Sequence, residues 1–175
     1  LNFDGDDNVT LVGSTYLDTF PANGAIEMWV YFPATKAAGG NDETFWAKYN
    51  DVGEFTCDWM KFSFVGASGK LELRLTINNT GTFALTTITS WTAGWYCFLT
   101  SWGSAGLEII SNGITVASNA GETNVPPAGS ARDFIIGADN RAALAKYMAG
   151  RIGLVKGFST VPSSSYRQEK DFFGI

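Results

Sequence analysis

A stretch of strict alternation between apolar and polar residues constrains the fold of this chain more than any other feature. In Lys70–Ile77, Leu and Ile alternate with Lys, Glu, Arg and Thr. Successive side chains of a β-strand point to opposite faces of a sheet, so this segment predicts a strand with one buried face and one polar face. The same period predicts a second such strand, in which Met60, Phe62 and Phe64 face a core and Trp59 lies on the opposite face.

Another segment carries large apolar side chains on both faces. One face would hold Ile26, Met28, Val30 and Phe32, and the other Glu27, Trp29 and Tyr31. We therefore expect a strand that is covered on both sides. Further strands, each bounded by Gly, Asn, Asp or Pro, are predicted at Asn8–Val12, Glu43–Tyr49, Thr82–Thr89, Trp95–Trp102, Arg132–Ala138 and Tyr147–Phe158.

The segment Leu107–Ser118 predicts a β-hairpin. Asn112-Gly113 supplies two residues that readily adopt positive φ, as a type I′ turn requires. Pairing around that turn places four apolar side chains on one face, namely Leu107, Ile109, Ile114 and Val116. Together with six Trp, six Tyr, thirteen Phe and twenty Gly, these segments are typical of an all-β fold.

We expect residues 1–175 to form a single domain, because one hydrophobic core accommodates a chain of this length. The chain begins with Leu1 rather than Met, which indicates that it is an excised part of a longer protein. The one predicted helix is short. It follows Pro162, covers Tyr166–Phe173 and ends before Gly174.

Short motifs follow one another in a characteristic order along nearly the whole chain. They are Leu1-Asn2-Phe3-Asp4-Gly5, Ile26–Val30, Gly94–Leu99, Leu107–Ile114, Phe134–Gly137 and Tyr147–Ile152. Their order resembles the laminin-G-like or concanavalin-A-like jelly rolls, although Cys97 stands where a His is common and Gly153 begins a pair that is usually acidic. The resemblance implies a sandwich of two antiparallel β-sheets with a short C-terminal helix.

Charge and hydropathy argue against two classes of partner. The net charge is −5 and the twelve Lys and Arg residues are scattered singly, so no basic surface for nucleic acid is predicted. No apolar run approaches the roughly 18 residues of a membrane-spanning helix, so no membrane partner is expected. Cys57 and Cys97 are too few for a disulfide framework. We interpret them as unpaired thiols, with one bridge between neighbouring strands as the alternative.

The absence of His is the most informative negative feature of the sequence. It excludes Ser-His-Asp and Cys-His nucleophile systems and every zinc site that needs imidazole. A glycosidase of this shape would need two carboxylates about 5 to 9 Å apart, and the one pair spaced by two residues, Asp4 and Asp6, lies in a predicted turn. The sequence leaves open whether Glu27, Glu72 and Glu108 meet across strands. We expect no enzymatic activity.

The N-terminal turn contains oxygen ligands of the kind that calcium prefers, namely Asp4, Asp6, Asp7 and Asn8. Compared with an EF-hand loop, the segment lacks the Gly at its sixth position and the Glu at its twelfth. We favour a polar turn whose side chains accept backbone hydrogen bonds, with calcium at Asp4 and Asp6 as the alternative. The resemblance implies a second candidate calcium site around Asp139 and Asn140.

Aromatic residues next to polar ones are the candidates for ligand binding. Sugar rings stack on Trp and Tyr, while Asp, Asn and Arg bond to sugar hydroxyls. Three such groups occur: Trp46, Lys48, Tyr49, Asn50 and Asp51; Asp58, Trp59 and Lys61; and Asp139, Asn140, Arg141 and Tyr147.

The Trp residues differ in what their positions predict. Trp29, Trp95 and Trp102 are interpreted as core or inter-sheet packing residues. For Trp46, Trp59 and Trp91, packing and ligand contact are both open. The alternation favours ligand contact for Trp46 and Trp59 because it places both on the polar faces of their strands.

These observations predict a non-catalytic, lectin-like module that binds a glycan and belongs to a larger secreted, adhesin or phage protein. We therefore expect it outside the cell, at a cell surface or on a virion. One alternative is a structural or protein–protein interaction module, for example one that decorates or assembles a viral particle, which a large contiguous apolar patch would favour. A glycoside hydrolase or polysaccharide lyase is a further alternative, which two carboxylates facing each other in a cleft would favour.

Overall fold

The computed structural model describes residues 1–11, 20–49, 59–77, 80–124, 133–139 and 146–163. Within these ranges the chain is all β, and two six-stranded sheets face each other as a sandwich. The predicted all-β, two-sheet fold is therefore confirmed, whereas the predicted helix Tyr166–Phe173 lies outside the described residues. The same ranges contain no helix that is long and apolar enough to cross a membrane.

The strands are short and irregularly spaced along the chain. In chain order they are β1 (Asn2–Asp4), β2 (Val9–Leu11), β3 (Gly24–Phe32), β4 (Lys36–Ala37), β5 (Glu43–Tyr49), β6 (Trp59–Val65), β7 (Lys70–Ile77), β8 (Thr80–Leu85), β9 (Ser90–Trp91), β10 (Gly94–Trp102), β11 (Leu107–Ser111), β12 (Ile114–Asn119), β13 (Phe134–Ile136) and β14 (Ala149–Phe158).

The chain passes repeatedly between the two sheets. The first sheet has the strand order β1-β14-β3-β10-β11-β12, and the second has the order β2-β13-β5-β6-β7-β8. All of these pairings are antiparallel. Strands β4 and β9 form a separate two-stranded sheet. Because β1, β2 and β3 already alternate between the sheets, each sheet depends on pairing between distant segments.

The inward-facing residues of both sheets form one hydrophobic core. Phe98 of the first sheet has its ring centroid 5.5 Å from that of Phe62 and 6.3 Å from that of Phe45, both in the second sheet. The predicted inward sets of β3 and β6 and the three Leu residues of β7 all belong to this core. The outer face of β3 is covered as predicted, since Glu27 and Trp29 are also buried.

A β-bulge in β5 decides which face Trp46 occupies. The pairing between β5 and β6 shifts between Thr44 and Trp46. A bulge places two residues of one strand opposite a single partner residue, so Phe45 and Trp46 both belong to the core and are fully buried. The prediction that Trp46 lies on a polar face and contacts ligand is therefore wrong, because its ring stacks on Phe134 inside the sandwich at a centroid distance of 5.7 Å.

The hairpin of β11 and β12 forms around the predicted turn, where Asn112 and Gly113 have φ values of +48° and +79°. A second bulge shifts the pairing after Ile109, so that Ala117 stands opposite it. Ala117 joins the core, whereas Ile114 is 66% exposed. The turn is confirmed, and Ile114 stands opposite Ser111 on the predicted face, whereas the bulge sets Ala117 rather than Val116 opposite Ile109.

Cys97 lies in β10 on the outer face of the first sheet, opposite Trp29, and its thiol is free. Burial of the thiol, reinforced by the negative charge of Glu27, raises the pKa of Cys97 to about 12. The free thiol agrees with the interpretation of unpaired cysteines. Cys57 lies outside the described residues.

Candidate functional site

The outer face of the second sheet brings several predicted site residues together. The cross-strand register sets Tyr49 opposite Trp59, and Asp139 reaches the same surface from the segment after β13. We call this surface the polar face. Its residues are Thr44, Ala47, Tyr49, Trp59, Lys61, Ser63, Glu72, Arg74, Thr76, Gly81, Phe83 and Asp139.

Three buried side chains form a hydrogen-bonded cluster on the polar face. The Tyr49 hydroxyl donates to Asp139 Oδ1 at 2.6 Å, and the Lys61 ammonium donates to Asp139 Oδ2 at 3.3 Å. Burial lowers the pKa of Lys61, and the attraction of the Asp139 carboxylate opposes this shift. Because all three residues are more than nine-tenths buried, they stabilise the face from below and do not present groups to solvent.

Trp59 lies between this cluster and the accessible end of the polar face. Its ring centroid is 5.7 Å from that of Tyr49 and 5.2 Å from Lys61 Nζ. The register places Trp59 on the side opposite the core stripe of β6, as the alternation predicts. It is only 7% exposed, so it packs as a wall of the site and offers little ring surface to a sugar.

Arg74 and Phe83 form the accessible end of the polar face. They stand opposite each other in β7 and β8, with Arg74 Cζ 5.2 Å from the Phe83 ring centroid and 5.9 Å from that of Trp59. Phe83 is 40% exposed, and the Arg74 side chain is 35% exposed. Glu72 Oε1 lies 3.6 Å from Arg74 Nε, which makes an ion pair but is too long for a hydrogen bond.

Two buried polar atoms beside this pair lack a partner. Among the described residues, Arg74 Nε and the Thr76 hydroxyl make no hydrogen bond. Gly81 stands opposite Thr76 in β8, and a Cβ there would lie 3.3 Å from Thr76 Oγ1 and 3.4 Å from Arg74 Nε. Glycine therefore leaves room beside these two buried atoms, which a larger side chain would fill. We call Arg74, Thr76, Gly81 and Phe83 the Arg74 cradle.

The open space distinguishes the Arg74 cradle from other unpaired groups in the described ranges. The indole N–H groups of Trp46 and Trp91 also lack partners, but both rings belong to the core. The unpaired Thr44 hydroxyl lies on the polar face, where Thr44 is fully buried. An unsatisfied buried polar group costs about 1–3 kcal/mol, and in the Arg74 cradle two such atoms lie beside the exposed Phe83 and the part-exposed Arg74 side chain.

Other predicted binding residues fall elsewhere. Asp51, Asp58, Asn140 and Arg141 lie outside the described residues. Tyr147 is half-buried in the segment that precedes β14. Of the predicted ligand-binding residues, the structure brings Tyr49 and Trp59 together on one face.

The predicted calcium ligands divide into two different environments. Oxygens of Asp4, Asp6 and Asp7 lie within 4.8 Å of one another in an exposed turn. A hydrogen bond between two of these carboxyls lowers the pKa of Asp4 and raises that of Asp6. Asp139 instead accepts hydrogen bonds from Tyr49 and Lys61. Calcium at the N-terminal turn and calcium around Asp139 and Asn140 both stay predictions, and Asn140 lies outside the described residues.

The three Glu residues that sequence left open as a catalytic set do not share one surface. Glu72 lies on the polar face of the second sheet. Glu27 in β3 and Glu108 in β11 both stand on the outer face of the first sheet. Glu72 is therefore separated from the other two by the thickness of the sandwich, which does not fit a pair of carboxylates across a cleft.

Sequence reasoning missed the residues of the Arg74 cradle. Arg74 and Thr76 carried a signal, because the alternation of β7 places them on its polar face. Gly81 and Phe83 carried none, because their roles depend on the register that sets β8 against β7.

The family of the chain follows from its whole-length pattern. A sequence profile of the concanavalin A-like lectin/glucanases superfamily matches residues 3–165. The chain belongs to this superfamily. The resemblance inferred from the order of motifs is therefore confirmed, while a comparison with curated protein sequences finds no match.

Several solved structures resemble this superfamily member. The IT-sialidase CBM40 of Ruminococcus gnavus bound to α2,3-sialyllactose is 9% identical and has a TM-score of 0.75, with 96% of this chain and 94% of that chain covered. The NanB sialidase of Streptococcus pneumoniae is 13% identical with a TM-score of 0.76, over 95% of this chain and 26% of that chain. The SAP-like pentraxin of Limulus polyphemus is 15% identical with a TM-score of 0.58, over 95% and 78%. At these identities the likeness shows the fold alone.

Proposed function

We propose that the chain is a non-catalytic glycan-binding module whose ligand occupies the Arg74 cradle. The observation that supports this proposal is a pair of buried polar atoms without a hydrogen-bond partner among the described residues, Arg74 Nε and Thr76 Oγ1, beside the space that Gly81 leaves. The exposed Phe83 ring borders the same space. A sugar needs this combination, because its C–H groups pack on an aromatic ring while its oxygens bond to polar groups.

The cradle favours a sugar with an acidic substituent. Arg74 presents N–H donors in a planar fork that matches a carboxylate, and its Nε has no hydrogen-bond partner among the described residues. The Thr76 hydroxyl can donate to the same group or accept from a neighbouring sugar hydroxyl. The similar Ruminococcus gnavus structure holds sialyllactose, an acidic glycan, which supports sialylated glycans as the first ligands to test.

We further propose that the module acts outside the cell as part of a secreted or surface-attached protein. Two similar structures come from bacterial sialidases, and this chain corresponds to 26% of the length of one of them. Such a share fits an accessory module beside a larger catalytic unit. An adhesin or a phage protein would use the same surface in the same way.

The proposal is tested by a glycan array that includes sialylated and neutral glycans, followed by calorimetric titration of the strongest hit. Arg74→Lys keeps the positive charge but removes the Nε donor, and we expect at least a roughly tenfold loss of affinity, about 1.4 kcal/mol. Gly81→Ala adds a methyl group at 3.3 Å from the Thr76 hydroxyl, in a strand whose backbone accepts Ala. We expect a loss of the same size.

A matched glycine substitution controls for effects on the fold. At Gly40 a Cβ would lie 3.5 Å from Ala37 O and 3.7 Å from the Phe64 ring, which is ordinary contact, and Gly40→Ala should bind like the parent chain. Binding that survives both cradle variants would move the site elsewhere on the module. An array without any hit, repeated with calcium and with a chelator, would exclude the glycan-binding proposal and leave the protein-interaction alternative.

A further inference from the structure

A second aromatic surface lies on the outer face of the first sheet, on the opposite side of the sandwich from the Arg74 cradle. Trp95 belongs to β10, and Gly153 belongs to β14, with β3 between them. Two atoms of the six-membered ring of Trp95 lie 3.6 and 3.7 Å from the point where a Cβ of Gly153 would stand. Because alternate strands of a sheet are about 10 Å apart, the Trp95 indole extends across β3 along the surface of the sheet.

The Trp95 ring therefore lies on the outer face of the sheet, beside the exposed Gly153. Trp95 is half-buried, in agreement with a ring that is covered on one side. Its interpretation as a core residue is therefore wrong. At Gly153 a Cβ would be in ordinary contact, 3.5 Å from Trp29 Cβ and 3.6 Å from the indole, so a side chain larger than Ala would fill the space beside the ring.

A tyrosine and an arginine complete the surface. Tyr31 stands opposite Trp95 on one side and Arg151 on the other. The Trp95 and Tyr31 ring centroids are 5.3 Å apart, and Arg151 Cζ lies 5.5 Å from the Tyr31 centroid. Arg151 is exposed, so the edge of its guanidinium faces solvent with donors to offer. We call Tyr31, Trp95, Arg151 and Gly153 the Trp95 platform.

The extent of the Trp95 platform fits one sugar ring better than a protein. A stable protein interface buries about 800 Å² on each partner. Within the described ranges the exposed large hydrophobic residues are Leu1, Phe83, Ile88 and Ile114, and none belongs to the platform. Its border is polar, with exposed Asn2 opposite Arg151. An isolated flat ring beside a hydrogen-bond donor matches a pyranose, whose C–H groups stack on indole.

We propose that the Trp95 platform binds a β-linked pyranose chain with equatorial hydroxyls, with one sugar stacked on Trp95 and its hydroxyls accepting bonds from Arg151. Such sugars have a flat C–H face, which suits a ring that lies along a sheet. This site goes beyond the Arg74 cradle, since the two surfaces are on opposite sides of the sandwich and cannot hold the same sugar. The module then binds two glycan segments at once and gains avidity on a polymer.

The test is a titration of the full chain with cellohexaose, followed by NMR of the ¹⁵N-labelled indole N–H groups. Trp95→Phe identifies the Trp95 signal by its disappearance. We expect that signal to shift at millimolar cellohexaose while the Trp59 signal, assigned by Trp59→Phe, stays in place. Arg151→Gln should weaken the shift several-fold, and Gly153→Val should abolish it by filling the space beside the ring. Arg74→Lys should leave the titration unchanged.

The outcomes separate the two glycan sites. A Trp95 signal that does not respond to cellohexaose overturns the platform proposal and leaves the Arg74 cradle untouched. A Trp95 signal that moves with protein concentration instead shows that a second copy of the chain covers the platform, which also overturns it. A cellohexaose response that persists in Arg74→Lys, with the array signal lost in that variant, supports the platform whatever ligand the cradle prefers.

Discussion

The two outer faces of the sandwich are built from the same alternation of apolar and polar residues, yet different kinds of side chain are buried in them. On the first sheet, Ala25, Leu99 and Ile110 form a small apolar cluster beneath Phe158. On the second sheet, the corresponding layer holds a small apolar cluster of Ala47, Tyr49 and Trp59 together with the Lys61–Asp139 ion pair and polar atoms without hydrogen-bond partners among the described residues. The first arrangement stabilises the fold by burying apolar surface, whereas the second keeps unsatisfied groups at a cost in stability. Such a cost is expected where a protein binds a ligand.

The largest expected effect concerns the reactivity of Cys97 on the first face. Its pKa is raised to about 12 from 9.0 because the thiol is buried, so the native thiolate is scarce. Iodoacetamide at about pH 8 should modify native Cys97 at least a hundredfold more slowly than the urea-denatured chain. Peptide mapping by mass spectrometry measures both rates. Similar rates in the two states would show that the first face does not shield the thiol.

The same thiol has a consequence for stability. Its pKa is higher in the folded than in the unfolded chain, so the folded state holds the proton more tightly. The contribution is complete below pH 9.0 and is lost as the pH rises toward about 12. Cys97→Ala should remove this part of the alkaline pH dependence.

The next largest effect tests the buried ion pair of the second face. Asp139→Ala leaves the Lys61 ammonium buried without its partner, and we expect unfolding free energy to fall by about 3–5 kcal/mol. Asp139→Asn keeps an acceptor for the Tyr49 hydroxyl and should lose less. Urea unfolding followed by Trp fluorescence gives both values. A loss below about 1 kcal/mol would mean that the pair behaves like one on an open surface.

The pH dependence of this loss gives a second check. The pKa of Lys61 is lowered in the folded chain, so the unfolded chain binds more protons between the lowered value and 10.5. The contribution of Lys61 to the free energy of unfolding therefore becomes more favourable as the pH rises across that window. In Asp139→Ala the Lys61 ammonium has no opposite charge beside it. The loss of unfolding free energy in this variant should therefore become smaller as the pH approaches 10.5 and Lys61 loses its proton.

A smaller effect is expected from the apolar cluster of the first face. Ile110 is 2% exposed in that cluster, and Ile110→Ala should cost about 2–4 kcal/mol through lost contacts and a cavity. Ile110→Val should cost about 1 kcal/mol. Neither variant should change glycan affinity at the Arg74 cradle, which lies on the other sheet. A change in that affinity would show that the two faces are coupled.

The smallest effect compares two buried threonines. The Thr76 hydroxyl has no partner among the described residues, whereas the Thr100 hydroxyl donates to Ile26 O at 3.1 Å. Thr76→Val should therefore leave stability unchanged or raise it by up to about 1 kcal/mol, while Thr100→Val should lower it by about 1 kcal/mol. Thr76→Val should also weaken glycan binding. Equal destabilisation by both variants would indicate that Thr76 is satisfied in solution.

Much of the sandwich could be predicted because alternation is a local signal. The inward sets of β3, β6 and β7 followed from residue order alone, and the Asn112-Gly113 turn followed from backbone preference. The errors arose where the period was interrupted. A bulge in β5 moved Trp46 from its expected face, and a bulge in β12 set Ala117 rather than Val116 opposite Ile109. Nothing in the residues themselves indicates a bulge.

The candidate sites were less predictable because they depend on neighbours across strands. The sequence placed Tyr49, Trp59 and Asp139 in three separate candidate groups. The cross-strand register and the bond between Tyr49 and Asp139 bring them together on one surface. Because these three residues are buried, the accessible residues of the polar face are Arg74 and Phe83, which the sequence did not single out. In the same way, Trp95 was expected in the core and instead lies across the outer face.

By itself, the sequence determined the all-β class, the inward faces of the principal strands and the exclusion of imidazole chemistry, because each depends on residue type and local spacing. The tertiary structure decided which polar atoms remain unpaired and which rings reach solvent. Those properties depend on the side chain that stands opposite in the next strand. Gly81 and Gly153 have no side chain. The space that they leave lies beside Arg74 and Thr76 on one face and beside the Trp95 ring on the other.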